Sequence, residues 1–106
     1  MAKYLIEASY TSEGSKGLLK DGGTKRRQAA EAAIKSMGGR VEAFYFAFGD
    51  ADAIVLVDAP DNASVAAASV AINASGAVAT KTRVLLTPEE MDQATKKSIS
   101  YTPPGR

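Results

Sequence analysis

Apolar and polar residues alternate along four separate stretches of the chain, at residues 4–10, 40–48, 52–58 and 78–86. A period of two residues is typical of a β-strand with one buried face. In the first stretch the more apolar set is Tyr4, Ile6, Ala8 and Tyr10. Because the second and third stretches are joined by the turn formers Gly49 and Asp50, we expect them to form an antiparallel hairpin.

Two longer stretches have helical periodicity instead. Between residues 24 and 37, apolar residues recur at helical spacing, and Gly38-Gly39 follows as a helix end. A second helix, built almost entirely from alanine and other small residues, is expected from a cap at Asp61 or Asn62 to a stop at Gly76.

The remaining segments are polar. Residues 11–23 are punctuated by glycine and predict a loop with room for one helical turn, which would tuck Leu18 and Leu19 inward. Thr87-Pro-Glu-Glu90 has the form of a capping box and predicts a short third helix to about Ile99. Residues 100–106 are expected to form an extended tail.

The order strand, helix, strand, strand, helix, strand is that of a ferredoxin-like α+β fold. We therefore predict a single domain over residues 1–106, with a four-stranded antiparallel sheet, both main helices on one face and a short C-terminal helix. The other face of the sheet would be uncovered.

Strict alternation divides the strand residues between these two faces. Val41, Ala43 and Tyr45 would join Tyr4, Ile6, Ala8, Ala53, Val55 and Val57 beneath the helices. The open face would then carry Leu5, Glu7, Glu42, Phe44, Phe46, Phe48, Ile54, Leu56, Lys81, Arg83 and Leu85. Three phenylalanines and several aliphatic residues form a patch too apolar for water. We therefore expect a second copy of the chain to cover this face, giving a homo-oligomer.

Several segments resemble the GYD-domain family of small bacterial and archaeal proteins, named after a Gly-Tyr-Asp signature before the third strand. They are the signature region 49–61, Tyr10-Thr11, Gly38-Gly39 and residues 76–82. The resemblance covers about residues 3 to 86 and implies a ferredoxin-like chain of the dimeric α/β-barrel kind. Ala51 stands at the signature tyrosine, so the hydroxyl of that tyrosine is missing, and no activity of the family can be transferred.

The amino-acid composition excludes several kinds of catalytic and structural site. The chain contains neither cysteine nor histidine, which excludes disulfides, thiolate catalysis and serine-histidine or cysteine-histidine hydrolysis within it. The net charge of +1 is spread along the sequence, so neither nucleic acid nor a membrane is an expected partner. No stretch approaches the length of a membrane span, the apolar start is too short for a signal peptide, and we expect a soluble cytoplasmic protein.

The open face holds the strongest chemical candidates. As an alternative to a purely assembling domain, the chain could be a cofactor-independent barrel enzyme acting on a small apolar or aromatic acid. Glu7 or Glu42 would act as the base, and Lys81 or Arg83, with Phe44 and Phe46, would bind the ligand. A structural alternative is a cross-strand ion pair between Glu7 and Arg83.

Other charged residues are weaker candidates for a binding site. The four aspartates at positions 50, 52, 58 and 61 are expected to form turns and caps, and we predict neither a metal nor a cofactor. Lys25, Arg26 and Arg27 at the start of the first helix could bind an anion in a regulatory module, or form a solvated face. The small residues of the second helix could pack on the sheet or serve higher assembly.

Overall fold

The computed structural model describes residues 1–106 and has the predicted ferredoxin-like architecture. The strands are β1 (Ala2–Tyr10), β2 (Arg40–Phe46), β3 (Ala53–Ala59) and β4 (Val78–Leu85). The helices are α1 (Ser12–Ser36), α2 (Asn62–Ala74) and α3 (Pro88–Thr95). The four strands form one antiparallel sheet in the order β2-β3-β1-β4, so β1 and β3 are central.

Both main helices cover the same face of the sheet. Ile34 of α1 and Val65 of α2 are buried in one cluster with Tyr4, Ile6 and Val57 of the central strands. The Tyr4 hydroxyl, deep in this cluster, donates a hydrogen bond of 2.5 Å to Asn62 Oδ1 at the start of α2. The prediction that the first alternating set of β1 faces the helices is confirmed.

Residues 12–21, where the sequence predicts a loop with one helical turn, form a helical segment in front of the predicted helix. Thr11 caps it by accepting a hydrogen bond from the Gly14 N–H, and the helix extends to Ser36 with one break at Gly22 (φ 80°, ψ 173°). Residues 12–21 are therefore helical, because the cap and the helix formers between Lys16 and Lys20 outweigh two glycines. Leu18 is half-buried, but Leu19 is exposed, so only one of the two leucines points inward.

Strand β2 contains a β-bulge that changes which side chains reach each face. Val41 pairs with Val57 and Ala43 with Leu56, so Glu42 is the extra residue between them. From this point the alternation is inverted relative to the prediction. Phe44 is opposite Val55 and Phe46 opposite Ala53 on the helix side, whereas Ala43 and Tyr45 lie on the open side.

The prediction that Phe44, Phe46 and Phe48 form an open apolar face is thus wrong. Phe44 packs against the buried core, and a Cβ added at Gly23 in α1 would come within 2.9 Å of the Phe46 ring. The two rings meet edge to face with their centroids 5.2 Å apart. Phe48 lies beyond the end of β2 and is fully exposed.

The C-terminal segment, residues 86–106, extends away from the rest of the domain. Helix α3 begins with the predicted capping box, in which Thr87 and Glu90 each accept a hydrogen bond from the other's backbone N–H. No residue of α3 is buried. The radius of gyration of 16.9 Å exceeds the roughly 13 Å usual for a chain of this length, which reflects an elongated molecule. None of the helices has the length and apolar character needed to cross a membrane.

Candidate functional site

The face of the sheet opposite the helices is the candidate site. Its centre is an apolar band that crosses all four strands, formed by Ala43, Tyr45, Leu5, Ile54, Leu56 and Leu85. The aliphatic members are only partly exposed because neighbouring side chains on the sheet shield one another, while Tyr45 is 70% exposed. The band is present without the phenylalanines that were expected to dominate it.

A charged cluster borders the band at the end of the sheet where β1 starts. Asp58 is buried, and its carboxylate accepts hydrogen bonds from Lys3 Nζ at 2.8 Å and from Arg40 Nη2 at 2.6 Å. The Lys3 ammonium also donates to Glu42 Oε2 at 2.9 Å. Because β1, β2 and β3 each contribute to this cluster, it fastens the three strands together at one end.

These contacts shift the acid–base equilibria of the cluster. The hydrogen bond from Lys3, and then that from Arg40, lowers the pKa of Asp58 against the opposing effect of burial. The same hydrogen bond from Lys3 to Asp58, helped by Glu42, raises the pKa of Lys3. Both shifts favour the charged forms of Asp58 and Lys3 at neutral pH.

A second charged group lies towards the other end of the open face. Glu7 and Arg83 form an ion pair, and Lys81 stands directly opposite Glu7 on the neighbouring strand. Glu7 and Lys81 also line a recess of about 110 Å³ together with Ser9, Asp50, Ala51, Ala79 and Thr80. This recess is a concave part of the open face, and its volume is smaller than that of most ligand pockets.

The structure brings together only some of the residues predicted to act jointly. Glu7, Lys81 and Arg83 are neighbours, but Glu42 contacts Lys3, which lies four residues before Glu7 on β1, about 13 Å away along an extended strand. Both candidate bases are thus bound to cations at separate places. Phe44 and Phe46 lie on the opposite face and cannot contribute to a site here.

Sequence reasoning missed the roles of Lys3, Arg40 and Asp58. The sequence predicts that Asp58 forms a turn or a cap, although its spacing from Ile54 and Leu56 places it on the same face as those two residues. That spacing is the signal that could have identified it. Its partners could not be found in the same way, because they come from strands distant in sequence.

Asp52 and Asp61, two of the aspartates expected to form turns and caps, have structural contacts. Asp52 accepts a hydrogen bond of 2.8 Å from the Tyr10 N–H, which fixes the corner between β2 and β3 against the end of β1. Asp61 caps α2 by accepting from the Ser64 N–H at 2.7 Å, and this backbone hydrogen bond lowers the pKa of its carboxyl. No three side chains of the His, Cys, Asp or Glu type converge to hold a metal ion.

The predicted anion cluster at the start of the first helix is divided by the fold. Arg27 is exposed and lies 3.7 Å from Glu31 one turn later, whereas Arg26 is half-buried against the sheet. Gly22 divides α1 into two helical segments, so these side chains stand in the first turns of the second segment, where the sequence predicts them. Arg26 lines the space between α1 and the sheet and Arg27 does not, so the two guanidinium groups do not form one anion site.

Comparison with known proteins gives one result. Neither the curated proteins nor the solved structures returned a match to this chain. The family model for the GYD domain, by contrast, matches residues 4–95, which include β1 from Tyr4 onward, the other three strands and all three helices. The chain belongs to the GYD domain family.

Proposed function

We propose that this chain functions as a homo-oligomer that assembles through the open face of its sheet. The observation that carries the proposal is the apolar band around Leu5, Ile54 and Leu56, which no helix of the same chain covers. Burying aliphatic surface of this kind is the main favourable term in protein association. A second copy is the natural occupant, because a twofold interface pairs one surface patch with itself.

The charges around the band are compatible with such an interface. Asp58 is neutralised by Lys3 and Arg40, and Glu7 by Arg83, within a single chain. Covering the band would therefore not bury either carboxylate without its cation. Burial of an unpaired charge is the most costly case. The apolar centre with charged groups at both ends also matches the usual division of an interface into an apolar core and a polar rim.

The C-terminal segment supports assembly independently. An eight-residue helix is too short to be stable in water unless it packs on another surface, and α3 buries none of its residues on its own chain. Four exposed apolar side chains lie on this segment: Leu86, Met91, Ile99 and Tyr101. We propose that residues 86–106 pack against a neighbouring copy.

Sedimentation velocity or light scattering tests the assembly. We expect the wild-type protein to be a dimer or a larger oligomer at micromolar concentration, and Leu56→Lys to shift it to monomer because a charge would enter the band. Val70→Lys is the matched control, since Val70 is exposed on α2 on the other side of the sheet. A wild-type protein that is monomeric at micromolar concentration would contradict the proposal.

A second candidate is a cofactor-independent enzyme acting on a small apolar or aromatic acid. The recess of about 110 Å³ beside Glu7 and Lys81 favours it, because it lies where a second copy would enclose it. Glu7 would act as the base, and Lys81 or Arg83 would bind the acid's carboxylate. A structure of the oligomer is the decisive test. An enclosed cavity beside these residues supports the enzyme, and a tightly packed interface there excludes it.

We also propose a cytoplasmic location for the assembly. The support is compositional, since a chain without cysteine gains nothing from an oxidising compartment. Fractionation of cells producing the protein with its natural sequence tests this proposal, and recovery outside the cytoplasm would contradict it.

A further inference from the structure

Between the helices and the sheet lie two adjoining chambers, which share three wall residues and together form the cavity. Helix α1 packs mainly on β2 and α2 mainly on β4, so the central strands are incompletely covered between them. The inner chamber, of about 60 Å³, is lined mostly by small or apolar side chains, among them Ile6, Ala8, Ala30, Ala33, Phe44 and Ala53. The space exists because alanine occupies positions on both the helix and the sheet where larger residues would fill it.

The outer chamber, of about 150 Å³, opens towards solvent along the first half of α1. Its wall includes Leu18 and Ala29 of α1 and Ala77 of the turn before β4. The break at Gly22 lets the two halves of α1 diverge at this point. A volume of this size accommodates a molecule as small as benzene.

Arg26, Tyr10 and Val78 line both chambers. The Arg26 guanidinium is half-buried beside the Tyr10 hydroxyl and takes part in none of the five ion pairs of the structure. Burial raises the pKa of Tyr10, against the opposing influence of Arg26, so the phenol keeps its proton and can donate a hydrogen bond at neutral pH. A cation and an O–H donor therefore lie together at the mouth of an apolar chamber.

We propose that this cavity binds a small monocarboxylic acid with a flat or short apolar body. The carboxylate accepts hydrogen bonds from Arg26, whose planar guanidinium suits bidentate pairing, and from the Tyr10 hydroxyl. The apolar body lies against Leu18 and Ala29 in the outer chamber, and its far end extends into the inner chamber towards Ala30. Arg26 is the only charged residue that lines both chambers, which places the negative end of the ligand at their junction.

The outer chamber also sets a charge limit on the ligand. Glu13 and Asp21 line it together with Lys25, so the fixed charges other than Arg26 include two carboxylates and one ammonium. A second negative charge on the ligand would be repelled by these two exposed carboxylates. The site is therefore expected to discriminate against dicarboxylates and phosphate.

Titration of ¹⁵N-labelled protein with benzoate, followed by amide chemical shifts, tests the proposal. We expect saturable shifts at Ala29, Ala77 and Val78, which border the cavity, and much weaker binding of phthalate and inorganic phosphate. Arg26→Gln should weaken benzoate binding by about tenfold or more, since it removes a charged hydrogen-bond donor. Arg27→Gln is the control, because Arg27 lines neither chamber and pairs with Glu31 at the surface.

A variant that fills the inner chamber separates loss of binding from loss of folding. Ala30→Leu places extra methyl groups in the chamber and should raise or preserve the melting temperature while excluding benzoate. Tyr10→Phe removes only the hydroxyl and should weaken binding without affecting the shift pattern of the fold. The proposal is overturned if benzoate, hexanoate and phenylacetate all fail to give saturable shifts in the wild type. Equal benzoate affinities of Arg26→Gln and Arg27→Gln would overturn it as well.

Discussion

Gly14 in the first turns of α1 packs directly against the backbone carbonyl of Ala77, in the turn that leads into β4. A Cβ added at Gly14 would overlap the Ala77 carbonyl oxygen. The same oxygen accepts a hydrogen bond of 3.0 Å from the Thr11 N–H, and the Thr11 hydroxyl donates 2.8 Å to the Gly76 carbonyl. The junction between β1 and α1 is thus joined to the junction between α2 and β4 through close backbone contact.

This contact predicts opposite effects for two glycines one turn apart. Gly14→Ala should destabilise the protein by about 2–3 kcal/mol, because overpacking against backbone cannot be relieved by a side-chain rotation. Gly17→Ala should stabilise it by about 0.5–1 kcal/mol, since Gly17 is helical and a Cβ there meets no atom within 4 Å. Urea unfolding of both variants measures the difference, and a stable Gly14→Ala protein would show that the two junctions are not in contact.

The β-bulge at Glu42 makes a second prediction, about Phe44 and Tyr45. Phe44→Ala should cost about 3 kcal/mol of unfolding free energy, because the ring packs against the core beneath the helices. Tyr45→Ala should change the stability of the separate chain by no more than about 0.5 kcal/mol, because the ring is exposed on the open face. Without the bulge, strict alternation would make Tyr45→Ala the more destabilising of the two substitutions.

Urea unfolding at several protein concentrations distinguishes core packing from assembly. The loss caused by Phe44→Ala should persist at every concentration, whereas any loss from Tyr45→Ala should grow with concentration, because only the associated form uses the open face. A concentration-independent loss for Tyr45→Ala as large as that for Phe44→Ala would show that β2 has the unbulged register.

The bulge also marks the limit of what the sequence reveals about the fold. The order of the elements follows from local periodicity, because a strand repeats every two residues and a helix every 3.6. The same pattern predicts which side chains of β1 and β3 point to each face of the sheet. It does not do so for β2 beyond Val41, because a single inserted residue moves every later side chain to the other side of the sheet.

In the candidate site, too, some contacts could be predicted from the sequence and others could not. The ion pair between Glu7 and Arg83 was one of the interpretations of the sequence, and the structure forms it, since the two strands were expected to be neighbours. The cluster of Lys3, Arg40 and Asp58 depends on three strands meeting in a particular register. The cavity at Arg26 depends on how far α1 and α2 separate, which is a matter of tertiary packing. Neither is encoded in a local pattern.

The buried carboxylate of Asp58 predicts a pH dependence of stability. Its folded-state pKa lies below the unfolded value of about 3.9, so folding favours the ionised form. The resulting stabilisation is fully present above the unfolded pKa and is lost as the pH falls through the lower folded-state pKa. Asp58→Asn should therefore destabilise the protein strongly at neutral pH and progressively less below about pH 4.

Unfolding experiments from pH 7 down to the acid limit of folding measure this effect. Asp92→Asn is the control, because the Asp92 carboxylate accepts no hydrogen bond and forms no ion pair, and Asp92 lies on the exposed helix α3. The difference between wild type and Asp58→Asn should shrink as the pH falls, whereas that for Asp92→Asn should be small throughout. A constant difference for Asp58→Asn would mean that its contacts do not depend on charge.

The C-terminal segment makes the last prediction. Deleting residues 88–106 removes α3 and the tail but no buried residue, so the secondary structure of the remaining domain should be unchanged by circular dichroism apart from the loss of one short helix. The deletion should nevertheless weaken assembly, because an eight-residue helix with an exposed Met91, followed by Ile99 and Tyr101, needs a neighbouring surface to be stable. Sedimentation equilibrium should show at least a tenfold higher dissociation constant for the truncated chain, equivalent to about 1.4 kcal/mol.

Met91→Glu tests the same surface in the full-length protein and should weaken assembly in the same direction, whereas Glu89→Gln, a change on the exposed first turn, should not. Unchanged association of both the truncated chain and Met91→Glu would show that the segment does not contact a second copy.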